Sequence, residues 1–228
     1  MQDNFMTMAT HELKTPLASI TGYTELIRKG ITGEVPEKID DVLAVVERNA
    51  NRLHDLINDI LDIRRLESGH LTTTLAPLML QDSTQAIEEE ARPQFTFKKQ
   101  TFEIRIPPDL PSVNADGQRI KQLIHHLLSN ASTFTPEGGT ITLEAKDVGE
   151  RVEVSVSDTG IGIEGKDLER VFERFPDLKR AQGLGLGLSI CKGLIGLHGG
   201  EIWAESEGIG KGATFRFTLQ KYSEQEKR

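Results

Sequence analysis

Residues 39–69 of the chain read IDDVLAVVERNANRLHDLINDILDIRRLESG. One set of positions recurs in this stretch with steps that alternate three and four residues, which is the heptad period of packed helices. This seam comprises Ile39, Val42, Val46, Asn49, Leu53, Leu56, Ile60 and Ile63. Further apolar residues make the stripe wider than the narrow seam of a two-stranded coiled coil. They are Leu43, Ala50, Ile57 and Leu61.

A second helix is predicted upstream, because the same heptad steps recur there. Its seam comprises Met6, Thr10, Leu13, Leu17, Ile20, Thr24 and Ile27. The turn between the two helices, residues 30–36, is rich in helix breakers. The pattern therefore predicts an antiparallel helical hairpin. Two helices cannot bury stripes this wide, so the sequence favours a homodimer in which two hairpins form a four-helix bundle. The alternative is that the hairpin packs on the rest of its own chain.

The pattern changes after Ser68-Gly69, where the glycine is placed to cap the second helix. Alternating segments typical of strands lie at residues 101–106, 140–146, 151–157, 201–206 and 214–219. Helical segments are interleaved at residues 82–95, 116–132, 164–174 and 187–198. Asp116 is placed as an N-terminal cap. Interleaved strands and helices predict an α/β sandwich, in which helices cover one sheet.

The fold class is therefore predicted as α+β, with a helical hairpin followed by an α/β sandwich. The predicted boundaries are a hairpin at 1–69, a linker at 70–77, an α/β domain at 78–222 and a frayed tail at 223–228.

Composition argues against several classes of protein. The 228 residues carry a net charge of −8 with a pI near 5.3, which argues against nucleic acid or an anionic membrane as the main partner. The chain has one cysteine, Cys191, and no zinc-binding spacing, so a buried thiol in a reducing compartment is expected. No apolar run reaches the length of a membrane helix, and no signal peptide opens the sequence. A cytoplasmic location without membrane contact by this segment is expected.

An unusual histidine lies on the first predicted helix. His11 is off the helical seam and is expected to face solvent. Glu12 is adjacent, and Thr15 lies one turn further along the same face. Pro16 leaves the carbonyl of Glu12 without its helical donor, so a kink is predicted here. A lone surface histidine is more often a solvated side chain without a role; it is the combination that indicates function.

Two glycine-rich segments belong to the α/β region. A predicted strand runs into VSVSDTGIGI at residues 154–163, where Asp158 could accept a hydrogen bond from an amine and the glycines let a flat base approach. A simple tight turn explains this segment equally well. Residues 183–190, GLGLGLSI, open a helix and expose N–H groups suited to phosphate oxygens. This segment is neither a Walker loop nor a dinucleotide fingerprint.

The segment at residues 5–17 resembles the H-box of histidine kinases, F-x-x-x-x-S-H-E-L-R-T-P-L, with mild changes at Thr10 and Lys14. Residues 122–134, 154–163 and 183–190 resemble, in order and spacing, the N, G1 and G2 boxes of the histidine kinase catalytic domain. Residues 171–175 also resemble its F-box. The resemblance extends from Phe5 to Leu219 and implies the ATP-binding fold shared with gyrase B, Hsp90 and MutL.

The resemblance implies roles for individual residues. His11 would receive the phosphoryl group, Glu12 would act as its general acid/base partner, and Thr15 would orient water for dephosphorylation of a partner. Asn130 would coordinate Mg²⁺, Asp158 would read adenine, and Phe134 would contact the base. The remaining ATP-binding residues implied are Gly160, Gly162, Ile163, Lys179, Arg180, Gly183, Gly185, Leu186, Gly187 and Leu188.

The chain departs from the family in three places. The N-box usually reads N-L-L-x-N-A-x-K-[FY], but here His126 replaces the first asparagine and Thr133 replaces the lysine. The lid between the F-box and the G2 box is short. Lys179 or Arg180 could supply the missing positive charge, although a solvated basic pair is equally consistent. His126 is either a weaker metal ligand or a helix surface residue, and the second interpretation is favoured.

The resemblance thus implies an ATP-dependent protein-histidine kinase. It would autophosphorylate from MgATP and pass the phosphoryl group to an aspartate of a response regulator receiver domain. Two alternatives stay open. The altered N-box could belong to a pseudokinase that acts as a dimeric scaffold or phosphatase. The chain could also be an ATPase of the same fold acting as a conformational clamp, although such a clamp needs no phosphoacceptor.

Overall fold

The computed structural model describes residues 2–31, 33–174 and 185–223. For residues 2–12, 83–85, 90 and 93 it describes the backbone only. The chain divides into two units, Met1–Leu71 and Thr72–Arg228.

The first unit is the predicted helical hairpin, with α1 at Gln2–Arg28 and α2 at Glu37–Glu67. Gly30 turns the chain between them with φ +74°, and Gly69 follows α2 with φ +68°, as its predicted capping role requires. Arg28 at the end of α1 joins the start of α2 through ion pairs with Asp40 and Glu47.

Helix α1 runs unbroken past Pro16, so the predicted kink does not interrupt the element. A proline removes one helical hydrogen bond. The hydroxyls of Ser19, Thr21 and Thr24 then donate to carbonyls one turn back, at 3.2, 3.1 and 2.8 Å. Such bonds within one helix satisfy the hydroxyls locally.

The hairpin buries a cluster of Leu17, Ala50 and Ile57 between its helices. Two of these three residues belong to the set that widens the predicted stripe of α2. Much of the heptad seam itself lies at the surface of the single chain. Its exposed apolar members among the described residues are Leu13, Ile20, Ile39, Val42, Val46 and Leu53. The residues that meet within one hairpin are therefore mostly different from those that define the seam.

The described residues of the second unit form seven strands and three α-helices in a two-layer arrangement. The strands are β1 Ala76–Leu78, β2 Thr101–Arg105, β3 Val113–Ala115, β4 Thr140–Asp147, β5 Arg151–Asp158, β6 Ile202–Glu205 and β7 Ala213–Gln220. The helices are α3 Leu80–Phe97, α4 Gly117–Phe134 and α5 Gly187–Leu197.

Five strands form the main sheet in the order β2-β4-β5-β7-β6. Among the pairings of the described strands in this sheet, β2–β4 is parallel and the other three are antiparallel. Alternation along β5 buries Val152, Val154 and Val156 on the face that the helices cover, as an α/β sandwich requires. Fully buried side chains from sheet and helices fill this layer, among them Leu123, Leu127, Ile141, Leu143, Ile190, Leu194, Phe217 and Leu219.

The Asp116 cap is confirmed, because its carboxylate accepts from the N–H groups of Gln118 and Arg119 at 3.1 and 3.2 Å. At the C-terminal end of α5, the buried ring of His198 accepts a hydrogen bond from the Asp116 N–H through Nε2 at 3.1 Å. Its Nδ1 lies 2.8 Å from the carbonyl oxygen of Leu194. The start of α4 is thus tied to the end of α5.

Two segments differ from the sequence prediction. Ala76 and Pro77, assigned to the linker, belong to β1, which pairs with β3 in a separate two-stranded sheet. Three-residue strands are too short to show alternation, and β3 was not predicted either. The helix predicted at 164–174 is instead two short 3₁₀ turns, Gly165–Asp167 and Arg170–Phe172. Only Val171 and Phe172 are buried there, which is too small an apolar face to dock a longer helix.

Among the described residues, no helix combines the length and apolar character that a membrane span requires.

Candidate nucleotide-binding site

The glycine-rich turns of the second unit lie together at one end of the main sheet. Strand β5 ends at Asp158, which pairs with Ile141 near the start of β4 and with Ala213 at the start of β7. Helix α4 ends at this same end, since the carbonyl of its last residue, Phe134, accepts from the Ile161 N–H just after β5, and α5 begins at Gly187 against His126 of α4. Predicted site residues that lie far apart in the sequence therefore meet here.

Asp158 is the acidic group of this end. Burial raises the pKa of its carboxyl, while the backbone N–H groups of Gly160 and Ala213 act in the opposite direction. The Gly160 N–H donates to Oδ1 at 2.8 Å and fixes the orientation of the carboxyl. A half-buried carboxylate held this way is a directed acceptor for an N–H donor.

The turn after Asp158 allows no side chains at its glycines. A Cβ at Gly160 would lie 2.4 Å from the carbonyl oxygen of Phe134. Gly162 has φ +69°, and a Cβ there would lie 2.0 Å from the carbonyl oxygen of Gly208. The Ile161 N–H donates to the Phe134 carbonyl at 3.2 Å. The turn thus packs directly against the end of α4, and Phe134 lies beside it.

A second loop is hydrogen-bonded to this turn, and its role was not predicted from the sequence. Residues 206–212 join β6 to β7, and the hydroxyl of Ser206 accepts from the Ile163 N–H at 3.0 Å. Gly210 and Gly212 donate backbone N–H groups to the carbonyls of Ile161 and Gly160, at 2.7 and 3.1 Å. The alternating glycines at 208, 210 and 212 were the signal that could have identified this loop.

Helix α4 supplies the polar side chains opposite the turn. His126, Asn130 and Phe134 lie at successive helical turns and share one face. All three are partly buried. A Cβ added at Gly187 would lie 3.2 Å from Nδ1 of His126, so the imidazole packs against the first residue of α5. The interpretation of His126 as a plain surface residue is therefore corrected: it lies at the junction of the two helices.

Helix α5 begins at Gly187, against the His126 ring of α4, and its first N–H groups have no carbonyl partner within the helix. Gly185 takes the left-handed conformation with φ +65°, and Leu186 is buried where it anchors the turn. The Leu186 carbonyl accepts from the hydroxyl of Ser189 at 2.7 Å. Leu188 is half-buried. A helix start preceded by glycine favours anionic oxygens.

Three predicted site residues, Lys179, Arg180 and Gly183, lie outside the described residues. The predicted phosphoacceptor group belongs to the first unit. His11 and Glu12 lie on α1, and their side chains are outside the described part of the chain. Thr15, one turn after His11, is exposed.

The arrangement fits an adenine nucleotide chemically. It combines a directed, half-buried carboxylate, a glycine turn with close backbone approach, an aromatic side chain and a helix N-terminus. Within the described residues, no group of three or more acidic, histidine or cysteine side chains could hold a metal ion. Asn130 offers one neutral oxygen ligand, which suits Mg²⁺ because that ion takes its remaining ligands from phosphates and water.

Comparison with known families divides the chain as the fold does. Residues 1–69 match the family model of the His Kinase A phospho-acceptor domain. Residues 115–223 match the model of the histidine kinase-, DNA gyrase B- and HSP90-like ATPases.

The relatives that match along most of the chain include sensory kinases. The chain is 36% identical over 226 residues to the adaptive-response sensory kinase SasA of Synechococcus sp. (strain JA-2-3B'a(2-13)), covering 97% of the chain and 60% of that protein. The chain thus spans less than two thirds of this relative's length.

Solved structures of histidine kinases have the same fold. Full-length ShkA in complex with AMPPNP matches with a TM-score of 0.75 and 28% identity, covering 96% of this chain and 46% of that one. The catalytic domain of histidine kinase ThkA matches with a TM-score of 0.59 and 31% identity, over 65% of this chain and 97% of that one. ThkA in complex with the response regulator protein TrrA matches with a TM-score of 0.63 and 25% identity, over 99% and 63%.

Proposed function

The chain belongs to the sensor histidine kinases, and from this premise we propose that it transfers the γ-phosphoryl group of ATP to His11. The observation that carries the proposal is the single site formed by Asp158, the glycine turn after it, the end of α4 and the start of α5. The match of residues 1–69 to a phospho-acceptor domain supports the other half of the reaction.

The proposed binding mode places each part of ATP against the groups of the site that suit its chemistry. Asp158 accepts a hydrogen bond from the exocyclic amine of adenine, while Gly160, Gly162 and Ile163 form the backbone wall beside the base. Phe134 covers the base from α4. Gly185, Leu186, Gly187 and Leu188 present N–H groups to the phosphates. Mg²⁺ at Asn130 would neutralise phosphate charge, which is the main requirement of phosphoryl transfer.

In the transfer step, Nε2 of His11 attacks the γ-phosphorus in line. A P–N bond forms, the bond from phosphorus to the bridging oxygen breaks, and ADP leaves with that oxygen. Glu12 accepts the imidazole proton and makes the attacking nitrogen more nucleophilic. The phosphoryl group then passes to an aspartate of a receiver domain, and Thr15 orients water for the reverse, phosphatase, output. The use of ATP as phosphoryl donor supports the cytoplasmic location that we propose, because ATP is supplied by the cytoplasm.

Incubation with γ-³²P-ATP tests the acceptor. The full chain is expected to incorporate label that is stable to base and labile to acid, and His11→Gln is expected to incorporate none. His54→Gln is the matched control, because His54 is an exposed histidine on α2 of the same hairpin. Label retained in His11→Gln and lost in His54→Gln would refute the assignment.

The hairpin surface supports a homodimer. Val42 and Leu53 of the α2 seam are 60% and 47% exposed in the single chain, and Leu13 of α1 is 54% exposed. A contiguous apolar stripe of this kind usually marks an interface. A second hairpin with the same stripe would complete a four-helix bundle.

A pseudokinase is the second candidate function, and the N-box favours it. His126 occupies the position of the usual first asparagine. Thr133 stands where a lysine is usual, and its hydroxyl donates to the Ser129 carbonyl at 2.8 Å.

We propose that Lys179 or Arg180 supplies the positive charge that this lysine would carry. Lys179→Ala/Arg180→Ala is expected to weaken ATP binding and slow autophosphorylation; unchanged values would exclude that role. Nucleotide binding by wild type without label on His11 would favour the pseudokinase.

A further inference from the structure

The last turn of α4 receives its hydrogen bonds from outside the helix. The final carbonyls of any helix lack helical partners and need other donors. The Ser132 carbonyl accepts from Lys98 Nζ at 2.6 Å and from Gln100 Nε2 at 3.0 Å. Lys98 Nζ also lies 3.3 Å from the Thr133 carbonyl. Two side chains of the short α3–β2 turn thus hold the end of this helix.

Gln100 is buried and uses both ends of its amide. Besides the Ser132 carbonyl, Nε2 donates to the Thr135 carbonyl at 2.7 Å. Its Oε1 accepts from the hydroxyl of Ser132 at 2.8 Å. An apolar side chain in this place would leave two carbonyls and a hydroxyl without these bonds, and unmade hydrogen bonds of buried polar groups are unfavourable.

Lys98 adds charge to the same point. An ammonium group at the carboxyl end of a helix is favourable because the helix dipole is negative there. The turn that carries it is tight, since Lys99 takes φ +51°, which is left-handed for a side-chain-bearing residue. The N–H of Thr101 donates to the Gly139 carbonyl at 2.9 Å and anchors the turn beyond Gln100.

The same helix end is joined to the base-binding turn. The carbonyl of Phe134, the last residue of α4, accepts from the Ile161 N–H at 3.2 Å. Ser132 and Thr135, which Gln100 binds, flank Phe134 in sequence. A shift of the α4 terminus therefore moves Phe134 and the turn that follows Asp158 together.

We propose that Lys98 and Gln100 are positioning residues for the nucleotide base. They touch no nucleotide themselves and act through Phe134 and the turn at residues 158–163. The proposal rests on the proposed function, because it assumes that adenine binds at Asp158. It assigns base selectivity in part to a turn that no nucleotide-binding motif of the sequence includes.

The test compares ADP with GDP by titration calorimetry on the full chain at 10 °C with Mg²⁺. Gln100→Met keeps the side-chain length but loses the amide, and we expect ADP affinity to fall about tenfold while GDP affinity stays within about twofold. Lys98→Met is expected to give about a threefold loss for ADP, and Lys98→Arg to restore most of it. The preference for adenine therefore decreases in both Met variants.

Lys99→Gly is the matched control. It keeps the left-handed turn and removes an exposed ammonium whose 2.6 Å ion pair with Glu137 is at the surface. Both affinities should stay within about twofold of wild type.

A merely structural role would lower the melting temperature of Gln100→Met and leave the ratio of ADP to GDP affinity unchanged. That result would overturn the proposal. If Gln100→Met does not fold, an unchanged ratio in Lys98→Met overturns it. Wild type that binds neither nucleotide would instead refute the proposed function.

Discussion

The two units of the chain cover their own apolar side chains to different degrees. In the second unit, large residues such as Leu127, Ile190 and Phe217 are completely buried between sheet and helices. In the hairpin, the cluster around Ile57 is buried, while the part of the α2 seam from Ile39 to Leu53 stays exposed. The apolar side chains of the strands are buried within one chain. Much of the heptad seam is left exposed, and we expect a partner to cover it. We therefore expect the second unit to be stable on its own and the hairpin to depend on association.

The largest effect is expected from the core of the second unit. Phe217 is fully buried on β7, so Phe217→Ala should cost about 3–5 kcal/mol through lost burial and the resulting cavity. Urea unfolding monitored by Trp203 fluorescence measures this, because Trp203 lies on the adjacent strand β6. The loss should not vary with protein concentration. A concentration-dependent transition in this unit would break the comparison.

A smaller effect is expected at the seam of the hairpin. Leu53→Glu places a charge in the proposed dimer interface, so the dimer should weaken by about 2 kcal/mol or more, at least about 30-fold in dissociation constant. Sedimentation equilibrium measures the dissociation constant of the dimer directly. Val148→Glu is the control, since Val148 is an exposed apolar residue of the second unit. Unchanged association in Leu53→Glu, or a wild type that is monomeric at micromolar concentration, would remove the basis for the dimer.

A charge inside the hairpin should make its stability depend on pH. Burial, and then the neighbouring charges of Asp55 and Asp62, raise the pKa of Asp59 to about 7. The raised pKa means that the folded hairpin favours the protonated form. That stabilisation is complete below the unfolded pKa near 4 and is lost as pH rises through 7.

Asp59→Asn removes the charge at similar size. It should stabilise the hairpin by about 1–2 kcal/mol at pH 8, with the gain shrinking towards pH 4. Thermal unfolding followed by circular dichroism at both pH values measures the difference. Asp41→Asn, on the exposed side of α2, serves as control. A gain that is equal at pH 4 and pH 8 would show that ionisation of Asp59 is not its cause.

The smallest effect is expected at the hairpin turn. Arg28 binds Asp40 through Nε at 2.8 Å and contacts Glu47, but all three groups reach solvent. Arg28→Met should lower the melting temperature of the hairpin by only about 1–3 °C, and the difference should fall with added salt. Melting curves at low and high salt provide the measurement. A larger, salt-independent loss would mean that the side-chain stem packs on the helices.

The residues that could be predicted share a local signal. The hairpin follows from its heptad steps, and the Asp116 cap follows from its place before an apolar helix. Asp158 and the glycines after it were identifiable because a strand leads directly into a glycine turn. β1 and β3 carry no such signal, since three residues cannot show a period. His126 was misplaced because its neighbour across the helix junction, Gly187, lies 61 positions away in the chain.

The sequence by itself determined the periods, the breakers and the motif residues, because each depends on neighbours within one or two turns of chain. Only the tertiary structure decided which stripe of α2 is buried within one chain and which is left for a partner. It also brought Gln100 to Ser132, and Ser206 to Ile163. Such contacts depend on how strands pair and where helices end. A polar residue in a turn looks the same in sequence whether it faces water or holds the end of a distant helix.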